Sequence, residues 1–192
     1  MKHLILAIVF SLPSTLLAQT FTYAPINVPG AVGTQARGIN VSGEIVGFYE
    51  TSTACTDVVL AVPNCPTHGY KYVNGSFIKL KVPNSVSTAI MAVNDLGDLV
   101  GFYTKADGTK HGFIWYHTNV VKTIDYPGTS FITVPMGINK AGTVVGGLWS
   151  ESETGTFAQG GWVWVNGKFS NMNPFTPGAA RSQQLVGERH CQ

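Results

Sequence analysis

One short phrase occurs three times in this chain, and it constrains the fold more than any other feature. GINVSGEIVGFY at 38–49 returns as AVNDLGDLVGFY at 92–103 and as GINKAGTVVGGLW at 137–149. A Pro-Gly-like pair precedes each copy, and a His-Gly-aromatic or Gly-Gly-Trp word follows it. Because the phrases recur at intervals of about 50 residues, the sequence predicts a repeated unit of the size that builds solenoids and propellers.

Each unit reads as four short β-strands joined by tight turns. The first strand ends at Gly-Ile-Asn, the second carries Ile-Val-Gly, the third follows His-Gly, and the fourth runs to the next proline. Asn-x-x-Gly joins the first two strands, since Asn and Gly both tolerate a positive φ. The residues of these turns are Asn40 with Gly43, Asn94 with Gly97, and Asn139 with Gly142. No helical period is convincing beyond the N-terminal segment, so the predicted fold class is all-β.

Four antiparallel strands per repeat predict a partial β-propeller of about three blades plus a degenerate fourth. The repeats are approximately 21–76, 77–120 and 121–168, with the degenerate copy at 169–192, in one β-repeat domain covering 19–192. A β-trefoil also uses four strands per repeat and is the alternative, although its Gln-x-Trp word does not recur here. An incomplete fourth copy leaves blade edges unclosed, and a homodimer is one way to cover them.

A glycine recurs inside the second strand of every copy, at Gly47, Gly101 and Gly146. Glycine weakens a strand unless something needs the space that a side chain would take. Every copy has this glycine, whereas most ligand sites are singular. We therefore expect the space to be filled by a side chain of a neighbouring blade and not by a ligand.

Residues 1–18 have the layout of a secretory signal peptide, with a basic start, an apolar core and a Leu-Leu-Ala ending. Its removal takes away Lys2, which leaves 11 basic against 10 acidic residues and a formal charge of +1. Nucleic-acid binding demands a basic face, so we expect no nucleic-acid partner. Pro13 interrupts the apolar run well short of a membrane span. The expected location is outside the cell or in the periplasm, with no membrane span after cleavage.

Three cysteines are present, and two of them enclose a nine-residue loop between Cys55 and Cys65. Disulfides persist in exported proteins. A zinc site would require paired spacings and extra ligands that the sequence lacks. We therefore predict a disulfide that staples this loop. Cys191 is left over near the end, and its state stays open.

Two histidines, His68 and His111, recur at equivalent places, and we read them as structural repeat residues. The third copy has Gly160 there, and no acidic residue follows the same pattern, which argues against a metal site. Asn94 to Asp98 looks like a calcium loop, but the other copies lack most of its acids and calcium needs six or more oxygens. We expect no metal and no cofactor.

Aromatic residues are the candidates for ligand binding. Tyr49, Tyr103 and Trp149 are interpreted as one position at the end of the second strand, and Trp115 lies in a third strand. Exposed rings at the tops of blades could stack on sugars or on peptide side chains. The competing interpretation, which we favour, places these rings in the core between blades.

The combination of Pro-Gly, Gly-Ile-Asn-x-x-Gly-x-Ile-Val-Gly-Phe-Tyr, His-Gly-Phe and Asn-Gly-x-Phe resembles the HAF-type repeats of bacterial exported proteins. The resemblance covers about 21–178. It implies a secreted, propeller-like repeat protein and supplies no catalytic residues. The chain departs from the pattern at Gly160-Gly161-Trp162 and in the fourth copy, where the Gly-Ile-Asn turn is missing.

The sequence contains no nucleophile elbow, no phosphate-binding loop and no repeated pair of carboxylates, so we predict that the protein is not an enzyme. The favoured function is a secreted binding or surface-associated module whose ligand is a carbohydrate or another extracellular protein. Two alternatives remain. One is a secreted hydrolase or lyase built on a propeller, and the other is a decayed fragment without independent function.

Overall fold

Twelve β-strands form three four-stranded antiparallel sheets in the computed structural model, which describes residues 22–52, 66–152 and 155–172. Sheet 1 contains β1 (Gly33–Ile39), β2 (Ile45–Glu50), β3 (His68–Val73) and β4 (Ser76–Leu80). Sheet 2 contains β5 (Ser85–Val93), β6 (Leu99–Lys105), β7 (Lys110–Trp115) and β8 (Val121–Thr123). Sheet 3 contains β9 (Ile132–Ile138), β10 (Val144–Ser152), β11 (Gly155–Val165) and β12 (Lys168–Asn171).

The predicted all-β class is confirmed, and each sheet is built from four strands that are consecutive in the chain. None of the three sheets closes on itself. The last strand of each sheet begins close to the predicted repeat boundary, so it completes the sheet before it and the structural units end later than the repeats read from the sequence. The described residues contain no helix that could cross a membrane.

The tight turns use asparagine in two different ways. In the hairpins at Asn74-Gly75 and Asn166-Gly167 both residues have a positive φ, as expected for the Asn-Gly signal. In the Asn-x-x-Gly turns only the glycine does, with φ of 76° at Gly43. The asparagine of these turns does not use the positive φ that it tolerates, so its side chain must explain why it recurs.

The glycine of the second strand makes room within its own sheet. A Cβ on Gly101 would lie 2.0 Å from the carbonyl oxygen of Ala89, on the adjacent strand β5. The register of β5 shifts between Ile90 and Ala92, directly beside this glycine. Equivalent shifts lie beside the equivalent glycines, which are Gly47 and Gly146. The expected occupant, a side chain of a neighbouring blade, is wrong, because a β-bulge in the first strand pushes a backbone carbonyl into this space.

The three sheets pack face to face in the order of the chain. We call the side of each second strand that carries Val46, Val100 or Val145 the front face, and the opposite side the back face. Val46 packs in one apolar cluster with Leu99 of sheet 2, so the front of sheet 1 meets the back of sheet 2. The front of sheet 2 meets the back of sheet 3 in the same way, through Val100, Ile114, Val144, Leu148 and Trp162.

The glycine of each His-Gly word allows the next sheet to approach. A Cβ on Gly69 would lie 2.9 Å from Ile90 Cδ1 in sheet 2. A Cβ on Gly112 would lie 2.9 Å from the carbonyl oxygen of Thr133 in sheet 3. The close approach between sheets, which the sequence analysis assigned to the glycines of the second strand, is therefore made by the third strand.

Several predictions fall outside the residues that the structure describes. These are the signal peptide at 1–18, the disulfide between Cys55 and Cys65, the state of Cys191, and most of the degenerate repeat at 169–192. They stay predictions.

Candidate functional site

The Asn-x-x-Gly turns lie at one end of the sheets and are connected by their asparagine side chains. Asn94 Oδ1 accepts hydrogen bonds from the backbone N–H groups of Leu96 and Asp98, at 3.0 and 2.9 Å. Its Nδ2 donates to Asp98 Oδ2 and, across the junction, to the carbonyl oxygen of Asn139, at 3.0 and 3.1 Å. Asn40 makes the same contacts one repeat earlier and donates to the carbonyl oxygen of Asn94 at 3.2 Å. The asparagine recurs because it holds its own turn and joins it to the next one.

A carboxylate follows the first two of these turns, and each has a basic partner. Lys71 Nζ lies 3.0 Å from Glu44 Oε1. His117 donates its backbone N–H to Asp98 Oδ1 at 2.9 Å, and its ring Nδ1 lies 2.7 Å from the same oxygen.

These partners set the protonation of the two carboxyl groups. Burial alone would raise the pKa of Asp98, but hydrogen bonds from His117 and Asn94 lower it below its ordinary value. For Glu44, burial again acts upward, and hydrogen bonds from Lys71 and Asn40 lower the pKa overall. Both groups are therefore held as carboxylates at neutral pH.

A cleft of about 560 Å³ opens between sheets 1 and 2 at this end of the molecule. The half-buried ring of Trp115 lines it, next to Tyr116. The other lining residues are mostly polar: Ser42, Glu44, Lys71, Asn74, Asp95, His117 and Asn119. A volume of this size is in the range of small-molecule sites, which combine an apolar surface with a few oriented polar groups.

Of the four aromatic residues proposed for ligand binding, the structure places only Trp115 in this cleft. Tyr49 and Tyr103 are 5% and 6% exposed, so both rings are buried, as the favoured interpretation expected, and the alternative of exposed rings is wrong for both. Each packs against the histidine of its own sheet, with ring centroids 5.2 Å apart for Tyr49 and His68 and 5.3 Å for Tyr103 and His111. These contacts give the two histidines a structural role.

Trp149 is not equivalent to Tyr49 and Tyr103. Tyr49 pairs with Thr34 and Tyr103 with Thr88, whereas the residue that pairs with Thr133 in sheet 3 is Leu148. Trp149 is one residue further on, half-buried against the cluster that includes Phe48 and Phe102. Its indole Nε1 lies only 2.9 Å from where a Cβ on Gly147 would be. Trp149 therefore covers the position that Phe48 and Phe102 occupy in the first two sheets.

A second polar cluster surrounds His111, which has an oxygen atom within reach of each ring nitrogen. Nδ1 lies 2.7 Å from Asp125 Oδ2, and Nε2 lies 2.9 Å from Thr109 Oγ1. This order of hydroxyl, imidazole and carboxylate is that of a catalytic triad. However, the hydroxyl of Thr109 donates its single hydrogen to Asp107 at 2.6 Å, so His111 does not receive it. The arrangement braces the turn and does not activate a nucleophile.

The charge beside the histidine differs between the two repeats. Lys81 precedes Val82-Pro83 at the position that Asp125 has before Tyr126-Pro127. Burial, followed by the charges of Lys81 and Lys79, lowers the pKa of His68. His68 is therefore kept neutral by its surroundings, whereas the equivalent His111 faces a carboxylate.

The site residues predicted from the sequence did not include Lys71, Glu44, Tyr116 or His117. Lys71 could have been found from the sequence, because it breaks the pattern of the repeat at its position. The equivalent residues, Ile114 and Val163, are apolar, so a lysine at this position of the third strand marks a local change of role.

The chain matches no protein-family model, no curated protein and no solved structure. Within the described ranges, no group of three or more His, Cys, Asp or Glu side chains is placed to hold a metal ion.

Proposed function

We propose that this protein is a secreted, non-catalytic binding module and that its ligand occupies the cleft between sheets 1 and 2. The observation that carries the proposal is the placement of Trp115 beside paired charges in an opening of about 560 Å³. Lys71 of sheet 1 and His117, which follows β7 of sheet 2, both line this cleft, and each contacts a carboxylate. Polar groups that are held in place by neighbours bind a ligand with less loss of conformational entropy.

A carbohydrate is the ligand that fits this lining best. Its hydroxyl groups both donate and accept hydrogen bonds, and Asn74, Asn119 and Asp95 offer both kinds of partner. The apolar face of a sugar ring can lie on the ring of Trp115. The cleft has positive and negative side chains together, so a neutral or mixed ligand suits it better than a strongly charged one.

The scaffold proposed for this cleft is a partial β-propeller of three consecutive blades, similar to the HAF-type repeats. Three observations support it: each sheet is a meander of four consecutive strands, the first strands of neighbouring sheets lie together, and equivalent faces pack at both junctions. A β-trefoil requires strands of different repeats to pair in one barrel. All strand pairing among the described residues is within one sheet of four consecutive strands.

The test is calorimetric titration of the purified chain with a panel of soluble oligosaccharides, followed by the variants Lys71→Met and Trp115→Ala. Lys71→Met keeps the apolar stem and removes the ammonium group. We expect it to weaken binding about tenfold, as the loss of one charged hydrogen bond predicts. Trp115→Ala should abolish measurable binding.

Tyr23→Ala is the matched control, because Tyr23 is 91% exposed and lies outside the cleft. It should bind as the unsubstituted chain does. Trp115 also contacts the apolar cluster between sheets 1 and 2, so a thermal melt must accompany its variant. Binding that survives both cleft substitutions in folded protein would overturn the assignment of the cleft, and hydrolysis of any oligosaccharide would overturn the non-catalytic function.

A further inference from the structure

The front face of sheet 3 is built like the two front faces that are covered. Val46, Val100 and Val145 occupy the same position of the second strand, and their exposed fractions are 0%, 0% and 42%. The first two lie beneath the next sheet, whereas no described residue covers the third. Sheet 3 therefore presents an exposed apolar face, and the equivalent faces of sheets 1 and 2 both pack against the next sheet.

The back face of sheet 1 is the complementary open surface. Ile39 is 65% exposed, while its equivalent Val93 is 7% exposed because it packs between sheets 1 and 2. A shallow apolar groove of about 360 Å³ lies beside Ile39, and Ile26, Ala36 and Ile45 also line it. Ile45 is equivalent to Leu99 and Val144, which are the residues that receive the preceding sheet.

The hydrogen bonds between turns are also incomplete at the two ends. The carbonyl oxygens of Asn94 and Asn139 each accept two hydrogen bonds, one from their own turn glycine and one from the asparagine of the preceding repeat. In the described chain the carbonyl oxygen of Asn40 accepts only the bond from Gly43. Asn139 is exposed, and its Nδ2 has no acceptor among the described residues. One end offers a donor and the other an acceptor.

We propose that the front face of sheet 3 docks on the back face of sheet 1 of a second copy of this chain, head to tail, and that two copies close on each other. The new contact would continue the interface that the chain already makes twice within itself. It would bury Val145 against Ile45 and Ile39 and give Asn139 the carbonyl oxygen of Asn40 as its acceptor. Two copies supply six sheets, and propellers typically have about four to eight blades.

A head-to-tail interface uses two different surfaces, and this gives it a distinctive test. Val145→Lys blocks only the front face, and Ile39→Lys blocks only the back face. Both residues are exposed in the single chain, so neither substitution should unfold it. Val120→Lys is the matched control, because Val120 is 56% exposed but belongs to the hairpin of sheet 2, away from both end faces.

The measurement is the mass of the exported, purified chain by sedimentation equilibrium at micromolar concentration. We expect the mass of two chains for the unsubstituted protein and for Val120→Lys, and the mass of one chain for each end-face variant alone. An equimolar mixture of the two variants should form pairs again, because one intact front face and one intact back face remain.

Three results would overturn the proposal. One is a single-chain mass for the unsubstituted protein, which would mean that the residues after 172 or nothing at all cover the front face. Another is a two-chain mass that persists in Val145→Lys. The last is a mixture of the variants that stays monomeric, since a symmetric interface between identical faces would not be restored by mixing. None of these results depends on the ligand of the cleft.

Discussion

Gly112 and Gly161 hold the same position in the third strands of sheets 2 and 3, yet their surroundings differ. A Cβ on Gly112 would meet the carbonyl oxygens of Ile124 and Thr133 at 2.6 and 2.9 Å. A Cβ on Gly161 would find its nearest atoms at 3.9 Å. The junction between sheets 2 and 3 is tightly closed, whereas the front of sheet 3 is open. Packing therefore requires glycine at position 112, whereas position 161 has space for a larger residue.

This difference shows that the repeated residues serve the packing between neighbouring sheets as well as the structure of each sheet. Sheet 3 keeps the valine, the glycine and the turn asparagine that sheet 2 uses to receive its neighbour. Their energetic contribution depends on whether a neighbour is present. Equivalent substitutions at the closed junction and the open face should therefore have very different effects, and the predictions below compare them in order of expected size. All refer to single chains in dilute solution.

The largest difference is expected at the turn asparagines. Asn94→Ala removes four hydrogen bonds and leaves the buried carboxylate of Asp98 with one partner fewer, so we expect a loss of about 4 kcal/mol in the free energy of unfolding. Asn139→Ala removes only the bond from Thr143 N–H and should cost about 1 kcal/mol. Urea denaturation followed by circular dichroism measures both, and equal losses would contradict the comparison.

The glycines should give the next largest difference. Gly112→Ala forces backbone carbonyls of two sheets apart, and we expect it to lower the free energy of unfolding by about 3 kcal/mol. Gly161→Ala should change it by no more than about 0.5 kcal/mol, because the new methyl group has space. The same denaturation experiment applies. A destabilised Gly161→Ala monomer would mean that the front of sheet 3 is already covered within one chain.

Deleting two methyl groups from the front-face valines probes the packing alone. Val100→Ala leaves a cavity between sheets 2 and 3 and should cost about 2 kcal/mol, since Val100 is fully buried. Val145→Ala removes surface that is partly in water and should cost about 0.5 kcal/mol or less. Thermal melts of the two variants, compared with the unsubstituted chain, give the order directly.

The smallest effect is on the pH dependence of stability. The pKa of Asp98 is lower in the folded chain than in the unfolded one, so its contribution is complete above the unfolded pKa of about 3.9 and is lost as the pH falls through the folded pKa. Asp98→Asn should flatten the acid side of a plot of melting temperature against pH. The unsubstituted chain is the reference. An unchanged slope in Asp98→Asn would exclude Asp98 as the source.

Local signals predicted much of the fold. Each second strand contains the Ile-Val-Gly word or its equivalent, as predicted, and the hairpin at Asn74-Gly75 has the backbone that its sequence demands. These features depend on periods and turn chemistry inside a short window. The bulge beside Gly101 could not be predicted, because it depends on the register between two strands.

The candidate site was much less predictable. Trp115 was named, but Lys71 and His117 reach the cleft from different sheets, and their partners Glu44 and Asp98 are 27 and 19 residues away in the chain. Pairs across such distances leave no pattern in one sequence. Trp149 was matched to the wrong position because the copies were compared by their last aromatic residue. Strand pairing, which decides equivalence, assigns that position to Leu148.

The hydrogen bonds from one turn asparagine to the next all run in the same direction along the chain, from Asn40 to Asn94 and from Asn94 to Asn139. The molecule therefore has a polarity, like a subunit of a filament. A further unit at the C-terminal side would supply an acceptor for the side-chain N–H of Asn139 and would bring its own asparagine with an unpaired N–H. The hydrogen bonds between the earlier turns would stay as they are. Whole units can therefore be added or removed at an end without disturbing the hydrogen bonds within the units that remain.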